Sequence, residues 1–282
     1  MKRKFSILSI ILLITSFFFT GCAQNTDSEL LNIMKVHYID VGQGDAILVQ
    51  VNNKNLLIDS GSRKNQNDLF DYLDSLKIDS LDYVIATHPH EDHIGNMADV
   101  INNYEVSNFY APKVEHTSKT FEKMIEALKD NNLKINVIKA GTDSINLGDN
   151  TKVSVFSPIK EETDNLNNYS PIMKIEYGST SFLFTGDAEK EVEEEVINAG
   201  YNLDSDVLKL GHHGSSTSTS EDFYNAVRPS LCVISVGKDN SYGHPHKETL
   251  TLLNKSKMNF LRTDNNGTVL ITSNGKEIKQ IK

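Results

Sequence analysis

The chain has no tryptophan and only two cysteines in 282 residues. Two thiols, Cys22 and Cys232, exclude a disulfide framework and a cysteine-rich zinc site. Cys232 lies in the apolar run Leu231-Cys232-Val233-Ile234, where a cysteine serves as a small buried hydrophobe rather than a reactive thiol. Positive charge is scarce too. The 28 Lys and Arg face 38 Asp and Glu, a formal net charge of −10. That balance is a poor footprint for sequence-independent nucleic-acid binding, which depends on cations neutralising phosphates. No internal repeat and no low-complexity segment is present. After Phe19 no apolar stretch approaches the roughly 18 residues of a membrane-crossing helix. Ordinary apolar and aromatic content excludes wholesale disorder, and the length suffices for one large core or two small ones.

The N-terminus reads as a targeting segment. Lys2-Arg3-Lys4 is a basic start, and Phe5 to Phe19 is an apolar run too short for a comfortable membrane span. Thr20-Gly21-Cys22 then places a small residue before a cysteine, which resembles a bacterial lipoprotein signal. The expected organisation is a signal peptide over 1–21, a polar tether over 22–32 with a lipid anchor on Cys22, and one domain over 33–282. An ordinary secretory signal and an uncleaved anchor are the alternatives, and all three put the body of the protein outside the cytoplasm. Cleavage would remove Lys2, Arg3 and Lys4, taking the charge from −10 to −13.

From Ile33 onward strands alternate with helices. Ile33–Ile39, Ala46–Val51 and Asn55–Ile58 read as strands separated by Gly- and Asn-rich turns. Asn67–Leu76, Lys119–Lys129, Glu189–Ala199, Glu221–Val227 and His246–Asn254 carry helical spacing. Strands are predicted near 81–86, 106–110, 135–138, 152–156, 171–177, 180–184, 206–210 and 230–236, with three short ones over 258–281. Periodicity alone gives an α/β protein of several layers.

Residues 87–95, Thr-His-Pro-His-Glu-Asp-His-Ile-Gly, carry the most chemistry. His88, His90, Asp92 and His93 set three imidazoles and a carboxylate on the loop after a buried strand. Imidazole nitrogen and carboxylate oxygen suit a divalent ion such as Zn²⁺ or Mn²⁺. His88 and His90 point one way, whereas Asp92 and His93 need a turn of the chain. They therefore address a second point, as in sites with two metals roughly 3.5–4 Å apart. A histidine-rich surface loop would not need this spacing.

Four further segments bear on that loop. Asp187 follows the apolar strand Phe182-Leu183-Phe184 at Thr185-Gly186-Asp187, where it can offer one oxygen to each metal or simply cap a helix. His212 and His213 lie between glycines after Asp206–Leu210. One of them is expected to complete the second metal site and the other to face substrate, without the sequence saying which. In Tyr242-Gly243-His244-Pro245-His246, His244 is a candidate phosphate ligand or general acid, and His246 reads as structural. The glycines of Val41-Gly42-Gln43-Gly44-Asp45 permit a tight turn that brings Asp45 toward the site; for it and for Asp59, in Leu57-Ile58-Asp59, turn chemistry is the alternative to a role there.

The HxHxDH spacing resembles that of the metallo-β-lactamase-like hydrolases. With VGQGDA, TGD, GHHGS and YGHPH in this order, the chain is similar to the hydrolase domain of ComEC-type DNA-uptake proteins and to secreted relatives such as pneumococcal phosphorylcholine esterase. The resemblance covers about residues 33–281 and lacks the channel helices. It implies a four-layered αββα sandwich. It further implies two divalent ions, zinc or manganese, held by His88, His90, Asp92, His93, Asp187 and one of His212 and His213, with Asp187 bridging and Asp45 and Asp59 orienting the histidine ligands. A water held between the ions would attack, oriented by Asp92, while His212, His213 or His244 neutralises charge on the substrate. Two departures stand out. Position 96 is Asn where a second Gly is usual. Asn167-Asn168-Tyr169-Ser170 stands where β-lactamases have another histidine, leaving Ser170 as a substrate contact. The ComEC-like motifs favour hydrolysis of phosphodiesters, in nucleic acid or an envelope polymer. An ester or lactone hydrolase and a non-catalytic substrate- or partner-binding lipoprotein are the competing readings.

Overall fold

The computed structural model describes residues 33–160 and 162–281. The expected signal peptide over 1–21 and the expected tether over 22–32, with Cys22, lie outside these residues. Among the described residues fourteen strands form two sheets. The first contains β1 (Met34–Tyr38), β2 (Ile47–Val51), β3 (Lys54–Ile58), β4 (Ser80–Ile85), β5 (Glu105–Ala111), β6 (Ile135–Val137), β13 (Val269–Ser273) and β14 (Ile278–Ile281). Its order is β14-β13-β1-β2-β3-β4-β5-β6. The second contains β7 (Thr151–Val155), β8 (Met173–Tyr177), β9 (Thr180–Phe184), β10 (Val207–Lys209), β11 (Leu231–Ile234) and β12 (Phe260–Arg262), ordered β12-β11-β10-β9-β8-β7. Both sheets are mixed. β3 to β6 run parallel, as do β9 to β12, whereas β1, β2, β13 and β14 pair antiparallel with their neighbours.

The apolar strands are explained by burial on both faces. In β2, Ile47, Val49 and Val51 point between the sheets while Leu48 points outward. In β9, Phe182 and Phe184 face inward and Leu183 outward. Helices cover both outer faces. Leu69 and Leu73 of α1 (Gln66–Ser75), Val100 of α3 (Met97–Asn103) and Met124 and Leu128 of α4 (Lys119–Asp130) seal the first sheet. Val192 and Val196 of α5 (Lys190–Asn198), Phe223 of α6 (Glu221–Val227) and Leu253 of α7 (Lys247–Lys255) seal the second. The result is the αββα order of layers implied by the motifs. Helix starts follow local chemistry: the Ser118 hydroxyl accepts from the N–H of Phe121, and Ser220 from that of Phe223.

Cys232 is buried on the outer face of β11, and burial pushes its thiol up to about 12, so it packs as a neutral group. Among the described residues no helix is long and apolar enough to cross a membrane.

Candidate metal centre

Every candidate residue falls at one edge of the sandwich, where the parallel strands of both sheets end. β3 leads into Asp59, and β4 leads into His88, His90, Asp92 and His93. β9 leads into Asp187, β10 into His212 and His213, and β11 into the loop carrying His244. Asp45 precedes β2, which runs antiparallel to β3 and so starts at the same edge. The carboxyl ends of parallel strands are where open α/β sheets bind ligands.

Asp187 is the hub. Its Oδ2 lies 3.2 Å from His93 Nε2, 3.4 Å from His213 Nε2, 3.7 Å from His212 Nε2 and 3.9 Å from His88 Nε2. Two sets of donors surround it. On one side His88 Nε2 and His90 Nδ1 face each other at 3.0 Å. On the other, His93 Nε2 and His213 Nε2 are 3.3 Å apart, and His213 Nε2 is 3.4 Å from Asp92 Oδ2. The donors fit divalent ions in both chemistry and demand. The Oδ1 of Asp187 is buried without a partner, an expense that a cation would remove.

Partners on the far side of the His93 and His213 rings leave the inner nitrogen available to ligate. His93 Nδ1 is 2.8 Å from Asp59 Oδ2, and His213 Nδ1 is 3.0 Å from the carbonyl of Ser235. These keep a proton on Nδ1, so that when the ring is neutral its Nε2 lone pair turns inward. Asp59 is itself held by the N–H and hydroxyl of Thr87 at 2.8 and 2.7 Å. Ligand-capable atoms of Asp45, His93, Asp187 and His213 all lie within 4.8 Å of one another. Asp45, however, approaches His213 at Nδ1, 3.5 Å away, and pairs with the buried Lys209. It stands behind the imidazole, as an orienting carboxylate would.

The backbone separates the two adjacent histidines. His212 and His213 have φ of 48° and 54°, so both adopt the left-handed conformation, at a cost of about 1–3 kcal/mol each. The turn sends His213 to Asp92 and His93. It leaves His212 at the rim, with Nδ1 3.2 Å from Thr217 Oγ1 and 3.4 Å from Glu189 Oε1.

Charge is strongly organised. Burial holds His88 well below its ordinary value, so it stays neutral, and it lowers His90 and His212 as well. Burial also opposes charge on His93 and His213, yet neighbouring carboxylates, Asp187 first, raise both well above the usual imidazole value. Burial likewise opposes charge on Asp187 and Asp92, but the adjacent imidazoles outweigh it and hold both carboxyls below the usual range.

Other residues hold the loops in place. Ser170, expected against substrate, is instead fully buried behind His88, its Oγ 3.3 Å from His88 Nδ1 and accepting from the N–H of Asp187 at 3.1 Å. It therefore bears on the orientation of His88. Asn96, where a glycine is usual, donates from Nδ2 to the carbonyls of Ser60 and Ser62 at 2.8 and 3.0 Å, tying α3 to the loop beyond Asp59. Gly44 must be glycine: a Cβ there would lie 2.1 Å from the carbonyl oxygen of Asp92. His246 bonds to Ser216 and to the Tyr242 carbonyl and has a structural role, as its sequence suggests. Lys209 and Tyr242 are the residues that motif reading passed over. A lone lysine in the buried run Val207-Leu208-Lys209-Leu210 was the available signal.

A pocket of about 350 Å³ opens on the centre, lined by His90, Asp92, Asp187, His212, His213 and His244, with Gln43 and Tyr242 at its mouth. A larger cavity of about 920 Å³, beside β6, contains none of the ligating residues. His244 is 8% exposed and its Nδ1 has no partner. Burial and the flanking imidazoles bring its pKa down to about 4.

Residues 39–237 match the model of the metallo-beta-lactamase superfamily. The chain is 36% identical over 253 residues to ComE operon protein 3 of Bacillus subtilis, covering 83% of this chain and 32% of that protein. It is 29% identical over 242 residues to recombination protein 2 of Haemophilus influenzae, covering 84% and 28%. The chain thus spans about a third of the length of the curated relatives it matches. Its fold is also that of Igni18, a metallo hydrolase of Ignicoccus hospitalis, with a TM-score of 0.54, 17% identity and coverage of 84% of this chain and 98% of that one. With the family match extending over most of the described residues and donors for divalent ions meeting at Asp187, the chain belongs to the metallo-β-lactamase superfamily of metal-dependent hydrolases.

Proposed function

We propose that this chain is an extracytoplasmic phosphodiesterase, carried on a lipoprotein signal and working with two divalent ions, Zn²⁺ or Mn²⁺. His88, His90 and Asp187 would hold one ion, and Asp92, His93, His213 and Asp187 the other. Bound there, the ions would acidify a water and polarise a phosphoryl oxygen. The chain's own residues supply orientation and donors. Asp92, on the pocket wall and held ionised, accepts a hydrogen bond from the attacking water and aims it. His212 and His244 flank the opening, their ring centroids 5.4 Å apart.

That pair carries the phosphodiester reading. A phosphodiester presents two non-bridging oxygens and a leaving oxygen, and two neutral imidazoles beside one pocket can donate to them separately. With a pKa near 4 in the free protein, His244 acts at neutral pH as a hydrogen-bond donor. The naming of the relatives as a ComE operon protein and a recombination protein supports a nucleic-acid phosphodiester at the cell envelope. The chain's acidity favours short or single-stranded substrates over long duplexes.

The test is hydrolysis of bis(p-nitrophenyl) phosphate by the full chain after metal stripping and reloading with Mn²⁺ or Zn²⁺, beside His88→Ala. Metal-dependent turnover lost in the variant supports the reading. Turnover of p-nitrophenyl acetate or a lactone, with none of the phosphodiester, would replace it with an ester hydrolase.

A further inference from the structure

The pocket over the metal centre continues sideways. Gln43 and Tyr242 line it and also line a neighbouring cavity of about 610 Å³. Tyr242 is 62% exposed, the most exposed large apolar or aromatic side chain among the described residues. A ring left in water gains little from packing, yet its backbone is tightly held. The N–H of Tyr242 donates to Asn240 Oδ1 at 3.2 Å, and its carbonyl lies 3.1 Å from His246 Nε2. Asn240 also donates to the carbonyls of Gly237 and His244 at 2.9 and 2.7 Å. The ring lies 21° from the plane of His244, centroid to centroid 5.6 Å. A firmly anchored loop therefore presents an aromatic face at the mouth of the hydrolytic pocket.

The cavity beyond it has a definite chemistry. Asp40, Asp68 and Asp239 line it against Lys64 and Lys238, while Asp264 in its wall is paired through both oxygens with Arg262. The remaining carboxylates exceed the ammonium groups by one, a balance that attracts no continuing run of phosphates. The cavity offers acceptors to a neutral heterocycle with N–H edges. Gln43 holds the wall between the two cavities: its Oε1 accepts from the N–H of Gly237 at 3.2 Å. Aromatic side chains bind bases by stacking without regard to sequence, at about 1–3 kcal/mol per base.

We propose that Tyr242 and the cavity behind it form a nucleobase subsite, so that the preferred substrate is a nucleotide phosphodiester cleaved one base from a chain end. The inference rests on the phosphodiesterase reading above and adds the specificity residue and the length limit.

The experiment compares the full, Mn²⁺-loaded chain with Tyr242→Ala and Tyr242→Phe on a dinucleotide, its abasic counterpart and a decanucleotide. In the wild type the dinucleotide has the lower KM of the first pair. Tyr242→Ala shrinks that advantage about tenfold, as expected for one lost stacking contact, and Tyr242→Phe keeps it. The decanucleotide gains nothing in KM over the dinucleotide. An unchanged base-to-abasic ratio in Tyr242→Ala would overturn the subsite, and a KM that falls with chain length would overturn the terminal register. If the wild type cleaves no phosphodiester, the function reading has failed, and the subsite is judged by titrating adenosine monophosphate into the tyrosine-labelled chain. Upfield movement of the Tyr242 ring signals then sustains a base site; their staying fixed removes it.

Discussion

Lys209 and Asp45 form an ion pair sealed from solvent beneath the metal centre, with side-chain exposures of 0% and 2%. Lys209 also donates to the carbonyl of Gly186 at 3.1 Å, the residue before Asp187, while the other oxygen of Asp45 lies 3.5 Å from His213 Nδ1. One buried ammonium thus links the turn presenting Asp187 to a carboxylate behind His213.

Removing only the cation should be costly. Lys209→Met leaves Asp45 buried and uncompensated, a change that typically costs about 3–5 kcal/mol. Replacing both members by apolar residues should recover most of that loss. Urea unfolding of Lys209→Met and of Lys209→Met with Asp45→Leu checks this, and a double variant no more stable than the single one would count against it.

The division of labour between the adjacent histidines predicts unequal metal content. On the two-ion proposal, His213→Ala should lower bound metal by about one ion per chain. His212→Ala should retain the metal and raise KM. Elemental analysis of the purified variants decides, and the reverse pattern would exchange the two roles.

Protons and metal compete for His93 and His213. Both are raised above 6.5 by buried carboxylates, so their stabilising contribution to the metal-stripped protein is complete below 6.5 and is lost as pH climbs through the raised values. Asp187 runs the other way: its lowered carboxyl contributes above the ordinary value of 3.8 and that contribution is lost as pH falls. Metal affinity should therefore rise with pH, and loading near neutrality should release up to about two protons per chain. Calorimetry in buffers of different ionisation enthalpy measures this release; none would mean that the two imidazoles are already neutral.

His244 should matter to turnover without holding metal. Loss of one donor to a developing oxyanion costs about 10²–10³-fold in kcat. His244→Ala should show a drop of that size with unchanged metal content, whereas lost metal would make the residue a ligand.

Much of this was legible in the sequence, for reasons particular residues make clear. The strand expected over Ala46–Val51 is observed as Ile47–Val51, because burial on both faces leaves the apolar run Ala46-Ile47-Leu48-Val49, interrupted only by the half-buried Gln50. The helix expected over 221–227 is observed at those bounds, with Ser220 as its cap. HxHxDH stood out because its spacing is local. What escaped depends on contacts across the chain or on dihedral angles. The Lys209–Asp45 pair joins residues far apart in sequence, and the left-handed turn dividing His212 from His213 has no signature beyond the flanking glycines. The short helix α2 (Glu91–Ile94) was hidden because two of its four residues, Asp92 and His93, were read as ligands on a loop. Ser170 looked like a substrate contact until its burial behind His88 became visible.

The donors around Asp187 come from both sheets: His88, His90, Asp92 and His93 from the first, Asp187, His212 and His213 from the second. An ion bound among them would act as a rivet through the sandwich, and its binding energy would add directly to the resistance of the two halves to parting. Scarcity of metal would then register in the lifetime of the polypeptide as well as in its turnover. Chains lacking the rivet would open more often to proteases, and a starved cell would keep fewer copies.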